Sequence, residues 1–175
     1  MNISRASPED AYAIAQVHVD SWREAYRTIL PADYLAALSV EKRQVFWTQS
    51  IAEGRSELWL AKADGVTQAW INFGKSRDDD LDATDAEIWA LYVAPPCWSM
   101  GIGLQLWLKA KDFLRSQGFT SCSLWVLSEN FRAIRFYEMV GFKQGIHSSK
   151  SMELAGIQLT ELRYVISLEG MTQVA

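Results

Sequence analysis

The chain has 175 residues, of which 49% are hydrophobic and 22% charged, and it carries 17 Lys and Arg against 21 Asp and Glu. This length and balance are typical of one compact domain, so residues 1–175 are predicted to form a single domain. The net charge of −4 argues against a nucleic-acid partner, because a protein that binds phosphate backbones normally shows a basic face.

Neither the two cysteines nor the apolar segments point to a special environment. Cys97 and Cys122 are too few for a disulfide framework, and no metal-ligand spacing surrounds them, so ordinary thiols and no metal are expected. No apolar run has the position of a secretion signal or the length of a membrane span. The sequence therefore predicts no membrane partner and, by default, a cytoplasmic location.

The N-terminal third is predicted to be one strand followed by three helices. The strand covers residues 2–6, and Ser7-Pro8-Glu9-Asp10 has the cap, proline and acids typical of a helix start. That helix should run to about Arg27. Its apolar stripe is Ile14, Val17, His18, Trp22 and Ala25. Pro31 opens a second, short helix, and Ser39 caps a third that ends near Gly54.

The middle of the chain reads as strands. Residues 57–63 and 66–73 form a hairpin around Asp64-Gly65, because both turn residues tolerate positive φ. The polar, acidic stretch 74–85 is predicted to be a loop. Its aspartates are interpreted as solvated; if the loop overhangs an acceptor site, they would instead attract cations. An apolar strand, 87–93, then ends at Pro95-Pro96.

The C-terminal half adds two helices and three strands. A helix is predicted over 101–117, a strand over 120–127, and a helix over 129–140 with Ser128 as its cap. Residues 142–152 and 157–168 form a last antiparallel pair. Because strand, turn, helix and strand follow one another from 87 to 127, this unit is a βαβ crossover, and the whole is predicted to be one α+β domain with a mixed sheet.

The first functional signal is the turn Gly101-Ile102-Gly103 between a strand and a helix. Small residues let the backbone approach a ligand, and the free N–H groups at a helix start favour a pyrophosphate. A Walker loop is excluded because no Lys follows Gly103, and a Rossmann fingerprint because Leu106 stands where its third glycine belongs. Taken alone, the turn is equally well explained as structural.

The second signal is the segment 128–138. On a helix Asn130, Ala133 and Tyr137 share one face, where an amide and a phenol could meet a ligand. From spacing alone, a capping Asn and a core Tyr explain these residues as well.

Together these residues resemble the GNAT superfamily of N-acetyltransferases. The resemblance covers nearly the whole chain. It rests on Ile3 to Asp10, on Leu91-Tyr92-Val93-Ala94-Pro95, on the glycine turn, and on 130–142, which is close to the family's Asn-x-Arg-Ala-x-x-Phe-Tyr-Glu-x-x-Gly-Phe. It implies a splayed, mostly antiparallel sheet of about seven strands flanked by helices, and an enzyme that transfers an acetyl group from acetyl-CoA to an amine.

The resemblance also implies the donor site. The pantetheine arm would lie between the strand that ends near Val93 and the strand 120–127, and the pyrophosphate would lie on residues 99 to 104. The implied acetyl-CoA contacts are Leu91, Tyr92, Val93, Trp98, Ser99, Met100, Gly101, Ile102, Gly103, Leu104, Asn130, Ala133, Phe136 and Tyr137. Trp98 departs from the family, which usually has Gln or Arg there, so the resemblance implies weakened rather than abolished CoA binding.

Two residues are interpreted as catalytic. Glu87 aligns with a strand carboxylate that some family members use as base, and the position used by others is Trp125 here. An exposed charge at a strand edge is the competing interpretation of Glu87. Tyr137 is the candidate general acid, because a phenol of pKa about 10 is protonated at neutral pH.

The acceptor is expected to be an amine of a small molecule or peptide. Trp22 and Tyr26, four residues apart on the first helix, are the candidate substrate-binding residues, with core packing as the alternative. Two other functions stay open: a CoA-binding domain without chemistry, which Trp98 favours, and transfer of another acyl group or to an alcohol. A homodimer is compatible with the family resemblance.

Overall fold

The structure, a computed structural model, describes residues 1–169 except the side chains of 146 and 147; the end of the predicted domain, 170–175, lies outside the described residues. Seven strands form one sheet, as the family resemblance implied, and their order is β1-β2-β3-β4-β5-β7-β6. The strands are β1 (Asn2–Arg5), β2 (Glu57–Ala63), β3 (Val66–Lys75), β4 (Asp85–Val93), β5 (Ser121–Leu127), β6 (Lys143–Leu154) and β7 (Ile157–Ser167). Only β4 and β5 pair in parallel; the other described pairs are antiparallel.

Five α-helices flank this sheet: α1 (Ala11–Ala25), α2 (Ala32–Ala36), α3 (Val40–Glu53), α4 (Ile102–Ser116) and α5 (Phe131–Met139). Ser39 caps α3 as predicted, because its hydroxyl accepts a hydrogen bond from the Lys42 N–H. The predicted cap of α5 was wrong. Ser128 and Glu129 lie in a turn, and the Asn130 side chain accepts from the Ala133 N–H at 3.2 Å, so α5 begins at Phe131.

Helices cover both faces of the sheet. One core, against α4, includes Leu106, Trp107 and Leu114 with Phe73 and Leu124 of the sheet. A second core joins α1 and α3 to the opposite face. A third, smaller cluster packs the segment after α1 against the ends of β5 and β7. These three clusters hold the central strands β4 and β5 between helices, where burial of apolar side chains stabilises the fold.

The sheet opens between β4 and β5. Their pairing runs from Asp85 and Ser121 to Ile88 and Leu124, and the described pairing ends there, although both strands continue. In β4, the register with β3 shifts between Ile88 and Ala90, a bulge at Trp89. Because a bulge bends its strand, it turns the end of β4 away from β5 and leaves a cleft between them.

Candidate active site

A cleft of about 830 Å³ occupies this opening. Its walls are the ends of β4 and β5, the first turns of α4 and α5, and the C-terminal part of α1. It thus brings together both functional signals of the sequence, the glycine turn and the segment 130–137, with the aromatic residues of the first helix.

At one end of the cleft lies the glycine turn. Ser99 and Gly101 both have left-handed backbone conformations, with φ of 63° and 78°. The first hydrogen bond within α4 is donated by Gln105 to the Gly101 carbonyl at 3.1 Å. The preceding amides, those of Ile102, Gly103 and Leu104, therefore precede the ladder of α4 and carry the positive end of its dipole. All three residues line the cleft.

Trp98 lines the cleft and is bonded back onto β4. Its indole N–H donates to the Val93 carbonyl at 2.6 Å, and its ring lies under the guanidinium of Arg132. Arg132 also donates to the Ser99 hydroxyl at 3.1 Å. Arg132 and Arg135, both on α5, line the cleft at this end. A cation therefore stands at the turn, although it comes from α5 and not from the turn itself.

In the middle of the cleft, β4 offers free backbone groups. The Ala94 N–H donates to the Gln68 carbonyl of β3 at 2.8 Å. Because the backbone groups of an antiparallel strand alternate in direction, the N–H and C=O of Tyr92 face β3, and those of Leu91 and Val93 face the cleft. The Val93 carbonyl is already bonded to Ser21 and Trp98. The family resemblance implied backbone contacts from three residues of β4. Leu91 is the one whose N–H and C=O both face the cleft without another described partner, whereas Tyr92 contributes its phenol.

Three phenols meet beside these groups. Tyr137 is 8% exposed, and burial raises its pKa, with further contributions from Tyr92 and Cys122. Burial likewise raises the pKa of Tyr26, and its interactions with Tyr92 add to the shift, whereas Asn130 acts in the opposite direction. Tyr92 accepts a hydrogen bond from the Trp22 indole at 2.8 Å. All three phenols are therefore held in their neutral form over the range in which a free tyrosine is neutral.

Trp22 and Tyr26 line the cleft, where they lie edge to face at 5.0 Å. His18, on the same stripe of α1, is packed behind them and stacks on Tyr92 at 5.0 Å. The aromatic stripe predicted from the sequence is thus partly wall and partly core.

Glu87 is not brought to the cleft. It is 1% exposed, and its carboxylate accepts from the backbone N–H of Arg77 at 3.0 Å and from the Arg77 guanidinium. It is neither an exposed strand-edge charge nor a wall residue of the cleft. Met100, a predicted cofactor contact, is 64% exposed and is also outside the described lining.

Among the described residues that line the cleft, Glu161 is the one carboxylate. It lies on β7 opposite Leu127 of β5 and Lys150 of β6, and its charge contributes to the raised pKa of Tyr92, whose main cause is burial. Trp125 of β5 lines the cleft nearby. Sequence reasoning missed Glu161, because only the strand order β5-β7-β6 places it here; Arg132 could have been found as the arginine of the segment 130–142.

Neither a metal site nor a membrane span is found in the described part of the chain. The side chains described in residues 1–145 and 148–169 include no group of three or more His, Cys, Asp or Glu placed to hold a metal ion. No helix within these ranges is both long and apolar enough to cross a membrane.

Comparisons with known proteins agree with this geometry. The sequence model of the acetyltransferase (GNAT) family matches residues 15–142. The chain is 31% identical to the uncharacterized N-acetyltransferase YuaI of Bacillus subtilis (93% of this chain, 90% of that protein). It is 27% identical to a spermidine N(1)-acetyltransferase of Thermoplasma acidophilum (82% and 88%).

Solved structures show the same fold. PaiA N-acetyltransferase of Thermoplasma acidophilum in complex with coenzyme A aligns with a TM-score of 0.69 at 24% identity, over 93% of this chain and 98% of that one. YncA of Salmonella typhimurium, solved with acetyl-CoA, aligns with a TM-score of 0.73 at 19% identity, over 100% and 98%. The chain therefore belongs to the GNAT family of acetyltransferases and is an acetyl-CoA-dependent N-acetyltransferase.

Proposed function

We propose that this protein transfers the acetyl group of acetyl-CoA to a primary amine of a small molecule or peptide by direct attack on the thioester. The observation that carries the proposal is the charge polarity of one continuous cleft. Arg132, Arg135 and the start of α4 make one end positive, and the other end carries Glu161, the one carboxylate among the described lining residues, in an exchangeable pair with Lys150. A donor with phosphates and an acceptor with an amine fit these two ends respectively.

The residues present fit the donor. The amides of Ile102, Gly103 and Leu104 would hold the pyrophosphate, with Arg132 as the added cation. Gly103 faces Phe136 and Leu91, since a Cβ built on it would come within 3.5 and 3.6 Å of their side chains, so the turn lies close against the cleft wall. The Leu91 carbonyl, which is directed into the cleft, would accept a hydrogen bond from an amide of the pantetheine arm.

The same elements would serve the chemistry. Acetyl-CoA supplies the acyl group as a thioester. The Leu91 N–H, directed into the cleft, is the donor placed to polarise a carbonyl oxygen there, as oxyanion donors do in other acyltransferases. Tyr137 stays protonated because burial raises its pKa, so its phenol can give a proton to the departing thiolate.

The acceptor would enter from the other end. Trp22 and Tyr26 form an aromatic wall there, and neutral rings of this kind attract ammonium groups. The Thermoplasma relative is by name a spermidine acetyltransferase, which supports an amine acceptor. The amine must lose its proton to water before it attacks, since most alkyl amines are protonated at neutral pH.

The test is thiol release from acetyl-CoA in the presence of a panel of primary amines, with mass spectrometry of the amine product. We expect thiol release that depends on the amine and an acetylated product of equal amount. Binding of CoA without any amine-dependent thiol release would favour the domain without chemistry. Release that depends only on alcohols, or only on another acyl-CoA, would favour the other alternative and overturn the proposal.

A further inference from the structure

On the cleft side of β5, β6 and β7, the sheet carries an unusual set of neighbours. Leu127, Glu161 and Lys150 stand opposite one another on the three strands, and Trp125 precedes them on β5. Met152 and Leu154 line the cleft, and they lie on the same face of β6 as Lys150 because side chains alternate along a strand. This face therefore continues the acceptor end of the cleft outward.

The ammonium group of Lys150 already shows what this face binds. Its Nζ lies 3.3 Å from the Glu161 carboxylate and 4.0 Å from the centroid of the Trp125 indole. A carboxylate and an aromatic face together make an environment for a cation. Lys150 has nearly half of its side chain in solvent, whereas Glu161 is about one-fifth exposed. The lysine can therefore leave for water while the glutamate cannot.

Arg163 is bonded to two aspartates of the β3–β4 loop, and its guanidinium also lies 5.5 Å from the centroid of the Trp125 ring. Arg163 donates to both carboxylate oxygens of Asp80 at 2.7 Å and also contacts Asp78. The Trp125 N–H donates to the Asp78 carboxylate at 2.9 Å, which fixes the orientation of the indole ring. The acidic loop between β3 and β4 is thus bound to β5 and β7. Lys150 is the only described cation paired with Glu161.

We propose that Glu161 and the Trp125 ring form a subsite for a second ammonium group of the acceptor, and that Lys150 occupies this subsite until the acceptor displaces it. The inference rests on the proposed function and names its substrate class: primary amines that carry a second positive charge. One amine would react beside Leu91 and Tyr137, and the other would replace Lys150 at Glu161.

The experiment compares two acceptors of equal length, 1,4-diaminobutane and 1-aminobutane, with the wild-type protein and four variants. Glu161→Gln removes the carboxylate at constant shape, and Lys150→Met removes the competing ammonium. Two matched controls lie on β6. Glu153→Gln changes an exposed glutamate on the face of the sheet opposite to that of Met152 and Leu154, and Lys143→Met changes an exposed lysine at the start of the strand.

We expect the wild type to prefer the diamine in kcat/KM. Glu161→Gln should reduce this preference about tenfold, because KM of the diamine should rise about tenfold more than KM of the monoamine. Lys150→Met should lower KM of the diamine severalfold, and the two controls should change neither acceptor. Equal use of both amines by the wild type would overturn the inference. So would an equal loss for both acceptors in Glu161→Gln, or a weaker diamine interaction in Lys150→Met.

Failure of the proposed function is distinguishable from failure of the subsite. If no amine of the panel is acetylated, the proposed function fails, and calorimetry then measures 1,4-diaminobutane binding directly. Binding to the wild type that weakens in Glu161→Gln and tightens in Lys150→Met supports the subsite. Absence of diamine binding, or equal binding to all three proteins, overturns it.

Discussion

The indole ring of Trp98 lies under the guanidinium of Arg132, with 4.2 Å between Arg132 Cζ and the ring centroid. The ring is itself fixed by its N–H bond to the Val93 carbonyl, and the guanidinium is further held by the Ser99 hydroxyl. Trp98 thus orients a cation that α5 supplies to the glycine turn. In the sequence, the same tryptophan suggested that the turn had lost its cation.

Arg132→Gln is expected to weaken CoA binding. The exposed guanidinium can make a charge-assisted hydrogen bond to a phosphate, and its loss at a solvated site should cost about 1 kcal/mol, or roughly fivefold in Kd. Calorimetry with CoA and with pantetheine, which has no phosphate, measures the effect. Pantetheine binding should not change. Arg115→Gln, in the last turn of α4 at the end away from the glycine turn, is the control. Unchanged CoA binding in Arg132→Gln would contradict the role of this cation.

Two substitutions of Trp98 separate its two contacts. Trp98→Phe keeps an aromatic ring under Arg132 but removes the hydrogen bond to Val93, whereas Trp98→Ala removes both. We expect CoA binding to weaken more in Trp98→Ala than in Trp98→Phe, because a cation–π contact contributes about 0.5–1 kcal/mol at an exposed site. Calorimetry with CoA measures both. Tighter binding in Trp98→Ala would instead mean that the ring obstructs the phosphate site.

Tyr137→Phe is expected to lower kcat at least tenfold with little change in the Kd of CoA, because the phenol is assigned to proton transfer. Since burial raises the pKa of Tyr137, the wild type should keep its activity as the pH rises to about 9. Steady-state kinetics from pH 6 to 9 measure both effects. Tyr164→Phe is a matched control, because Tyr164 is 3% exposed, bonds Glu138 and is not among the lining residues. Unchanged turnover in Tyr137→Phe would remove the assignment.

Glu87→Gln tests the base that the sequence suggested. Because the carboxylate is buried and bonded to Arg77 away from the cleft, we expect the free energy of unfolding to fall by about 1–3 kcal/mol. The pH dependence of kcat should not change. Urea denaturation and pH–rate profiles measure the two effects, with Glu57→Gln, a more exposed ion pair to Arg5, as the control. Loss of the acidic limb of the profile in Glu87→Gln alone would restore Glu87 as the base.

The parts of the site that were predicted from sequence are those encoded over a few residues. Asp64-Gly65 form the predicted hairpin turn because both adopt positive φ, at 51° and 79°, and Gly101 opens α4 in the same way. The neighbours of Glu161 and Glu87 could not be predicted. Glu161 reaches the cleft through the strand order, and Arg77 meets Glu87 ten residues away only because the loop folds back on β4.

We expect His18 to make the free energy of unfolding sensitive to acid. It is 7% exposed, and its Nδ1 accepts from the Trp47 indole N–H at 3.2 Å, so the neutral ring carries its proton on Nε2. Burial lowers the pKa of His18 to about 3, and the charge of Arg43 adds to the shift. An unfolded histidine has a pKa of about 6.5.

At His18, the unfolded chain is therefore expected to bind up to one more proton than the folded chain between pH 3 and pH 6.5. Stability from His18 is full above pH 6.5 and is lost as the pH falls, by about 2 kcal/mol between pH 6.5 and pH 5. Urea denaturation at pH 7.5, 6 and 5 measures this slope. His18→Asn, which keeps an acceptor for Trp47, should be less stable than the wild type at pH 7.5 but should lose less stability on acidification, by about 2 kcal/mol at pH 5. Because the comparison is of slopes, the cost of the substitution itself cancels. An equal acid loss in both proteins would show that His18 is not the group that titrates.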